Sequence, residues 1–447
     1  MNAAVTGLPN ERAVPPQPQP QPRRAVLPEA APEAVPETVL DAVPEAVVPV
    51  DVVGCAVLSP AGTGLAALAA ALAGVQASAG VGPVAAHHTN GSGEVAEVDG
   101  TLGAVGGRPP LAVRPVAGFD PAAVLGAKGL SRLTRTDRLA MSACTMALAE
   151  AGAGAEAGAG PAPERTGVVL GTAMGSSGAQ SAFLRDTFVQ DLPYLVNPSA
   201  FPGTLMNSAA GKTAIKHGLT GVNATVSGGP PAALHALRYA RTALVGGRAS
   251  LLLAGGVEEV SPQSARAWQL SGALRPGAPL AEGCAVFALR PADPGAEATG
   301  RRPLGRLLAC ETGYADPVRD VLGVGRRLAA CVRTALARSG LAPEDVAIVA
   351  AGAGGRRGWA AVEERALRRV FPALATPIPS TAPTTAPRRL RVDLALGETY
   401  GASAALQLAA VLAHWQDPAT PADGERVAVV TSIGPDGCVG CLAVTRP

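Results

Sequence analysis

Lysine is almost absent from this chain of 447 residues, occurring only at Lys128, Lys212 and Lys216. Arginine supplies most of the positive charge, and the formal net charge is only +2. A chain this close to neutrality has no electrostatic grip on DNA, RNA or an anionic membrane surface. We therefore expect neither a nucleic acid nor a membrane as a partner.

Cysteines are few and lack a regular spacing. The seven cysteines are an odd number, which argues against a secreted disulfide scaffold, and most lie in apolar runs typical of buried thiols. Cys438 and Cys441 form a CxxC pair, but it lies in a predicted strand and no second pair accompanies it. The sequence therefore predicts no metal site and no cofactor.

Long hydrophobic runs are also missing. No stretch of about 18 apolar residues is free of glycine, proline or charge, so we expect no membrane-spanning helix. A signal peptide has a basic start followed by an apolar segment, and the N-terminus lacks this pattern. Together these absences predict a cytoplasmic protein.

Residues 1–50 are a mixture of Pro, Ala, Glu and Val. Regularly placed prolines remove backbone donors and disfavour both helix and sheet. We expect this segment to be disordered or partly polyproline II. A docking arm is one possible role, and a solvated tail is the simpler interpretation.

From residue 51 onward, short apolar strands alternate with helical patterns, and a second half repeats the rhythm. This alternation predicts βαβ units and mostly parallel sheets covered on both faces. The most convincing amphipathic helix spans residues 131–151. Predicted strands span 52–58, 166–171, 250–254, 283–289, 306–311, 346–351, 427–431 and 439–444, and further helices span 65–72, 231–244, 317–339, 358–370 and 402–414.

Several short motifs occur along the chain in a fixed order, and each is weak alone. In that order and spacing they resemble the condensing ketosynthases of fatty acid and polyketide synthesis, over about residues 51–447. The segments that carry the resemblance are 54–62 (GCAVLSPAG), 139–152 (LAMSACTMALAEAG), 166–172 (TGVVLGT), 197–202 (NPSAFP), 207–211 (NSAAG), 254–258 (AGGVE) and 397–402 (GETYGA).

The resemblance implies a thiolase-like α/β fold with two pseudo-symmetric halves in a five-layered αβαβα core, normally dimeric. We place the N-terminal half at residues 51–298 and the C-terminal half at 299–447. The strand and helix pattern fits this architecture but does not by itself select it.

The nucleophile of the family is missing. In active ketosynthases a cysteine lies on a tight turn at a helix N-terminus, where the helix dipole lowers its pKa and backbone N–H groups stabilise the oxyanion. The corresponding turn reads NATVSGGPPAAL here, and the cysteine position falls on Pro230. Proline has neither a nucleophile nor an N–H, although it suits the first turn of a helix.

The other catalytic positions have changed as well. By resemblance, two histidines stabilise the enolate formed by malonyl decarboxylation, and a lysine supports the second histidine. The first motif reads GAGGR, with Gly352 at the histidine position; the second reads DLALGETYGA, with Glu398 replacing the histidine and Asp393 the lysine. A carboxylate at 398 would repel both a malonyl carboxylate and an enolate.

Two residues near the changed turn are candidates for residual chemistry. Ser227 is the nearest hydroxyl, but no histidine is placed by motif to activate it. His235 follows on the next helix, where a structural core histidine is the favoured interpretation.

Two loops also depart from the family. The segment before Glu282 is short and lacks the family's D-x-x-R-x-G loop. The closing GFGG element reads IGPDG at residues 433–437, without its gating phenylalanine. A chamber that no longer controls malonyl entry needs neither feature.

A preserved scaffold with four changed catalytic positions favours a catalytically inactive ketosynthase-like subunit. Such a subunit, a chain-length factor, pairs with an active ketosynthase and shapes the acyl-chain tunnel in type II polyketide biosynthesis, with an acyl carrier protein as a further partner. The alternatives are a decarboxylase, a diverged acyltransferase with a non-standard nucleophile, and a carrier-protein-binding scaffold. The decarboxylase is disfavoured because Pro230 has no amide and both histidines are gone.

The resemblance also places a tunnel wall in this chain. In the family, the helix after strand 166–171 lies at the dimer interface and projects into the partner's cavity. A helix beginning near Ser177 would put Ala179, Ala182 and Phe183 on one face. Small residues at 179 and 182 would leave room for an acyl chain, although alanines also simply allow close helix packing.

Overall fold

A computed structural model of the chain describes residues 47–78, 100–103, 107–153, 162–293, 302–375, 386–421 and 424–447. Most of the proline-rich segment and the proposed boundary between the halves at 298–299 lie outside these residues. The predictions about the tail and the domain boundary therefore stay predictions. In the part of the chain that the structure describes, no helix is long and apolar enough to cross a membrane.

The strands and helices of the described residues are numbered in chain order. They are β1 (Val50–Ser59), β2 (Gly62–Thr63), α1 (Gly64–Ser78), β3 (Gly100–Leu102), β4 (Leu111–Arg114), α2 (Pro121–Leu125), α3 (Arg135–Glu150), β5 (Thr166–Gly171), α4 (Ser177–Val189), α5 (Phe201–Thr204), α6 (Ser208–His217), β6 (Asn223–Val226), α7 (Ala232–Val245), β7 (Leu251–Glu258), α8 (Pro262–Ser271), β8 (Leu280–Ala281), β9 (Gly283–Pro291), β10 (Gly305–Tyr314), α9 (Val321–Arg338), β11 (Ile348–Ala351), α10 (Trp359–Val370), β12 (Arg388–Leu390), α11 (Val392–Ala395), α12 (Ser403–Gln416), β13 (Val427–Ile433) and β14 (Cys438–Thr445).

The large sheet consists of two similar halves that meet where β1 pairs with β10. One half has the order β1-β9-β7-β5-β6, and the other has the matching order β10-β14-β13-β11-β12. Within each half the three outer strands are parallel and the two inner pairings are antiparallel. This repeated arrangement is the pseudo-symmetry that the resemblance implied.

The prediction of mostly parallel sheets is wrong, because antiparallel pairings outnumber parallel ones in the large sheet. The pair β13–β14 shows the reason. These two strands are joined by a short turn, and such a connection returns the chain antiparallel, whereas a helical crossover is needed for parallel neighbours. Periodicity along one strand carries no information about the direction of its neighbour.

The two half-sheets separate three large apolar clusters, and a fourth, small cluster lies around Leu111 and Leu274. A central cluster contains side chains of α1, α7 and α12, and outer clusters contain those of α3 and α6 on one side and α9 and α10 on the other. Along β9 the side chains alternate between the central and one outer cluster, as residues of a sheet buried on both faces do. These layers confirm the αβαβα architecture of the thiolase-like fold.

Two glycines of β7 allow the central helix layer and the neighbouring strand to approach closely. The sequence predicts that this strand ends before Gly255 and Gly256, but it continues to Glu258. A methyl group built at Gly255 would lie 2.0 Å from the Ala285 carbonyl oxygen, and one at Gly256 would lie 2.5 Å from Cβ of Ala233 on α7. The glycines are therefore packing positions within the strand rather than its end.

Candidate functional site: a ketosynthase centre without its catalytic groups

The turn that would hold the nucleophile is preserved as a backbone shape. It connects β6 to α7, and Gly229 has a φ of +58°, in the left-handed region that favours glycine. The N–H of Ala232 donates to the Gly229 carbonyl oxygen at 3.1 Å. Pro230 is buried and Pro231 caps α7, so the prolines start the helix as the sequence predicts.

Ser227 and His235 both lie close to this turn. Ser227 is exposed directly after β6, and the His235 ring lies beside Gly228, where a methyl group would be 3.4 Å from Nδ1. Burial lowers the pKa of His235, helped by Arg238 and opposed by the Asp436 carboxylate. No hydrogen bond joins Ser227 to a histidine within the described residues, so the serine has no activating base there.

The first histidine position has no space for a histidine. A methyl group at Gly352 would lie 2.9 Å from both Nε2 of Gln407 and the Thr431 carbonyl oxygen. The Gly352 N–H donates to Oε1 of Glu363 at 3.1 Å, and the hydroxyl of Thr431 donates to the same oxygen at 2.7 Å. Any side chain at 352 would have to displace neighbours that fix this loop.

Arg356 fills the region between the two former histidine positions. Its guanidinium donates to the carbonyl oxygens of Ile433 at 2.7 Å and Gly352 at 3.2 Å. Its Nε lies 3.4 Å from Oε2 of Glu398, and both side chains are only 2% exposed. One buried ion pair thus occupies the region where the resemblance places two histidines. The sequence prediction missed Arg356 because it considered only the changed catalytic positions.

Glu398 is held as a buried carboxyl group by the Arg356 guanidinium and by the backbone. Its Oε1 accepts the N–H of Tyr400 at 3.0 Å. Burial raises the pKa of Glu398, and the Arg356 guanidinium opposes this shift. The Arg356 guanidinium donates to backbone carbonyl oxygens through Nη1 and Nη2, while its buried Nε, which faces Glu398, has no hydrogen-bond partner among the described residues.

Asp393 lies next to the ion pair but has a separate partner. Both of its carboxylate oxygens accept from Arg391, at 2.9 and 3.0 Å. The cavity that remains between Asp393, Glu398 and Gln407 has a volume of about 10 Å³, roughly that of one water molecule. This cavity beside Glu398 is too small for a malonyl group.

Tyr400 covers the former nucleophile turn. Its φ of +43° is the one positive value among the described residues other than glycine. Its hydroxyl would lie 3.6 Å from a methyl group at Gly229, and its ring packs edge-on against Trp268 with centroids 4.9 Å apart. An aromatic side chain from the second histidine motif therefore lies against the turn.

Glu258 connects this centre to the segment that leads into α4. Its carboxylate accepts the N–H groups of Ala173 at 2.8 Å, Met174 at 2.9 Å and Gly401 at 3.2 Å. Burial raises the pKa of Glu258 to about 7, although these hydrogen bonds counteract the effect. A single carboxyl group thus fixes two loops at the centre.

The seven cysteines supply no substitute nucleophile. All are free thiols, and all but Cys438 are buried. Burial raises the pKa of Cys144 to about 12 and that of Cys438 to about 11, so neither is a thiolate near neutral pH. No group of three or more His, Cys, Asp or Glu residues that could hold a metal occurs in the described part of the chain.

Helix α4 begins at Ser177 as predicted, and its exposed side chains include Leu184, Phe188 and Val189 beside the charged Arg185. Ala182 is exposed, Ala179 is half-buried, and the half-buried Phe183 packs against the Phe201 ring with centroids 5.8 Å apart. Their role as a tunnel wall stays a prediction. Exposed apolar side chains surround them and form what we call the α4 patch: Leu184, Phe188, Val189, Leu192, Tyr194, Leu195, Phe201 and Leu205.

Comparison with known proteins agrees with this geometry. Residues 48–294 match the family described as beta-ketoacyl synthase, N-terminal domain. The chain is 29% identical over 332 residues to the tetracenomycin polyketide synthase ketoacyl synthase beta subunit of Streptomyces glaucescens, covering 68% of this chain and 75% of that protein.

Solved structures give the same result. The ishigamide ketosynthase/chain length factor is 32% identical, with a TM-score of 0.66, covering 89% of this chain and 99% of that one. A beta-ketoacyl synthase from Burkholderia phymatum STM815 has a TM-score of 0.68 at 17% identity over the same shares, which is a likeness of fold. The match to the family's domain covers more than half of the sequence, and this chain belongs to the beta-ketoacyl synthase family.

Proposed function

We propose that this chain is a chain-length factor, the non-catalytic beta subunit of a type II polyketide ketosynthase. The observation that carries the proposal is the buried Arg356–Glu398 ion pair, which occupies the region where the family places its two histidines. Pro230 at the nucleophile position and Asp393 at the lysine position agree with it. The relatives named as a ketosynthase beta subunit and a ketosynthase/chain length factor support the same role.

The centre is unsuited to condensation for electrostatic reasons. Condensation requires a nucleophile to hold the acyl group and donors to stabilise the enolate oxygen. Pro230 offers neither, and the Glu398 carboxyl group would meet the developing negative charge with like charge when ionised. The diverged acyltransferase is not favoured, because no activated cysteine or serine lies at the centre.

The α4 patch is the surface we assign to the active ketosynthase. Phe188 is 85% exposed and Tyr194 is 73% exposed, and they lie among other exposed apolar side chains on α4 and the segment after it. Soluble monomers rarely expose large contiguous apolar surface, whereas obligate partners bury it. An acyl carrier protein would then deliver substrate to the ketosynthase of this heterodimer. The free, mostly buried cysteines fit a reducing compartment, and we place the complex in the cytoplasm.

The tunnel role is tested by enlarging α4 in a complex with an intact ketosynthase. We expect Ala182→Phe to shorten the product, because a forced methylene costs about 1–3 kcal/mol and a longer acyl chain no longer fits. Ala182 is exposed in the chain alone, so the substitution leaves its folding intact. The measurement is co-expression, size-exclusion chromatography of the complex and mass spectrometry of its products.

Ala337→Phe is the matched control, since Ala337 is an exposed helical alanine on α9. That variant is expected to give products of unchanged length. Normal assembly of the Ala182→Phe complex with unchanged product length would remove the tunnel assignment.

A further inference from the structure

A groove of about 220 Å³ opens on the surface beside the C-terminal end of α8. It lies at the short segment before Glu282, where the family's longer D-x-x-R-x-G loop is missing. Its walls include three arginines, one tryptophan and apolar side chains of β4 and the loop after α8. The residues that matter here are Arg108, Leu111, Trp268, Leu274, Arg275 and Arg357.

Backbone hydrogen bonds fix two of the arginines. The N–H of Arg275 donates to the Gly355 carbonyl oxygen at 2.9 Å, and that of Arg357 donates to Ala273 at 2.8 Å. Leu274 and Arg356 form the antiparallel bridge between them, and both of their side chains are buried. Arg275 and Arg357, which flank this bridge, are exposed, and both line the groove.

The third arginine enters the groove from the segment before β4. The Arg108 guanidinium lies against Gly272, where a methyl group would be 2.5 Å from Nη1. Gly272 ends α8 with a φ of +61°, a conformation that favours glycine. A larger residue is therefore disfavoured there by the backbone conformation as well as by the nearby guanidinium. The glycine leaves the space that this guanidinium occupies.

The charges of these arginines are not neutralised by neighbours in the described part of the chain. None of the three forms an ion pair with a described carboxylate, and no described Asp or Glu lines the groove. Two half-buried arginines elsewhere do pair with a carboxylate: Arg306 with Asp51 and Arg389 with Glu364. Guanidinium groups stay charged throughout the physiological pH range, so the groove is a fixed concentration of positive charge.

Apolar surface completes the groove. Trp268 is half-buried, and Leu111 and Leu274 belong to the same small apolar cluster. A ligand in the groove would therefore meet both guanidinium groups and an aromatic side chain. The volume is below the roughly 300–1,000 Å³ of sites that enclose larger ligands, so it suits a small molecule or one end of a longer one.

We propose that this groove binds a small organic phosphate monoester, with the phosphate on Arg108, Arg275 and Arg357 and the organic part against Trp268. Guanidinium groups bind phosphate through paired N–H donors. Three positive charges match a phosphate dianion better than a singly charged carboxylate. This inference does not depend on the function proposed above, because none of these side chains belongs to the former catalytic centre.

The test is isothermal titration calorimetry of the full-length protein with phenyl phosphate. We expect saturable binding of one equivalent, weakened at least about tenfold in the Arg275→Gln/Arg357→Gln double variant, because each substitution removes charged hydrogen bonds to the phosphate. Both side chains are exposed, so the variant keeps its fold, which circular dichroism checks. Arg365→Gln, at an exposed arginine of α10 outside the groove, is expected to bind like the unaltered protein.

Benzoate separates phosphate recognition from general anion binding. We expect it to bind at least about tenfold more weakly than phenyl phosphate, since it presents one charge instead of two. Absence of saturable binding, or binding unchanged in the double variant, would overturn the site. Equal binding of benzoate would overturn its assignment to phosphate esters.

Discussion

The former catalytic centre and the α4 patch use side chains in opposite ways. At the centre, charged groups such as Arg356, Glu398 and Glu363 are buried and bonded to one another or to backbone. On α4, large apolar side chains such as Phe188 and Leu184 are exposed. An enzyme acting alone would open its centre to substrate and cover its apolar surface. The difference supports our proposal that this chain contributes shape and contact rather than chemistry.

Introducing negative charge into the α4 patch should have the largest effect of the changes considered, and the effect is on assembly with the ketosynthase. We expect Leu184→Asp/Phe188→Asp to abolish the complex with an active ketosynthase, because truncating central apolar residues of an interface costs about 2 kcal/mol or more each, and a buried carboxylate costs further. Both side chains are exposed, so the chain alone should keep its unfolding midpoint. Co-purification with a tagged ketosynthase measures the loss.

Val318→Asp is the control for this prediction, because Val318 is 92% exposed on a different surface. That variant should co-purify normally. If the double variant also co-purified normally, the α4 patch would not be the partner surface, and the comparison above would fail.

Breaking the buried ion pair should have the next largest effect. Arg356→Met leaves the Glu398 carboxyl group without its cation, and we expect a loss of about 3–5 kcal/mol in the free energy of unfolding. Arg356→Met/Glu398→Leu should recover most of that loss, since a buried pair is often replaceable by apolar residues. Arg357→Met, at the exposed neighbour, should change stability by no more than about 0.5 kcal/mol. Urea unfolding measures all three.

A small effect of Arg356→Met, similar to that of Arg357→Met, would mean that the guanidinium is hydrated and the centre is open. An open centre would restore the possibility of substrate binding there.

The pH dependence of stability sharpens the same contrast between buried and exposed groups. The pKa of Glu258 rises from 4.5 to about 7 on folding. Its contribution to stability is therefore present at a pH below the pKa of the unfolded state, and it is lost as the pH rises through the pKa of the folded state. The maximum loss is about 3 kcal/mol. Burial also raises the pKa of Glu259, Glu363 and Glu398, in the same direction.

Glu258→Gln isolates the contribution of this residue, because glutamine keeps an acceptor oxygen and does not titrate. Between about pH 4.5 and pH 7.5 the variant should lose less unfolding free energy than the unaltered protein. Identical pH profiles for the two proteins would show that Glu258 ionises in the folded state without cost.

Much of the fold could be predicted from sequence, while the contents of the centre could not, and the loss of catalytic groups stays a prediction. Strands such as β5 and the start of α4 agree with their patterns because both depend on local periodicity. The sequence prediction missed Arg356, which lies in the same loop as Gly352. The position of its side chain depends on contacts with Ile433 and Glu398, and both residues are distant in sequence. Comparing motif positions one at a time does not reveal that a side chain from another position, here Arg356, occupies the space of two histidines.

The α4 patch illustrates a second limit. Apolar periodicity predicts that a face is covered but does not distinguish a core from a partner. The predicted face of Ala179, Ala182 and Phe183 is only partly covered within the chain, with Phe183 packing on Phe201. In our proposal a second molecule covers the rest, and the sequence of one chain does not contain that molecule.

The central claim is that the ketosynthase partner carries the chemistry and this chain does not. Intact-mass spectrometry of the heterodimer after incubation with acyl-loaded carrier protein tests it most directly. We predict an acyl adduct on the ketosynthase subunit alone, and none on this chain whether it is free or in the complex, because Pro230 has replaced the nucleophile. A covalent acyl adduct mapped to this chain would contradict the account.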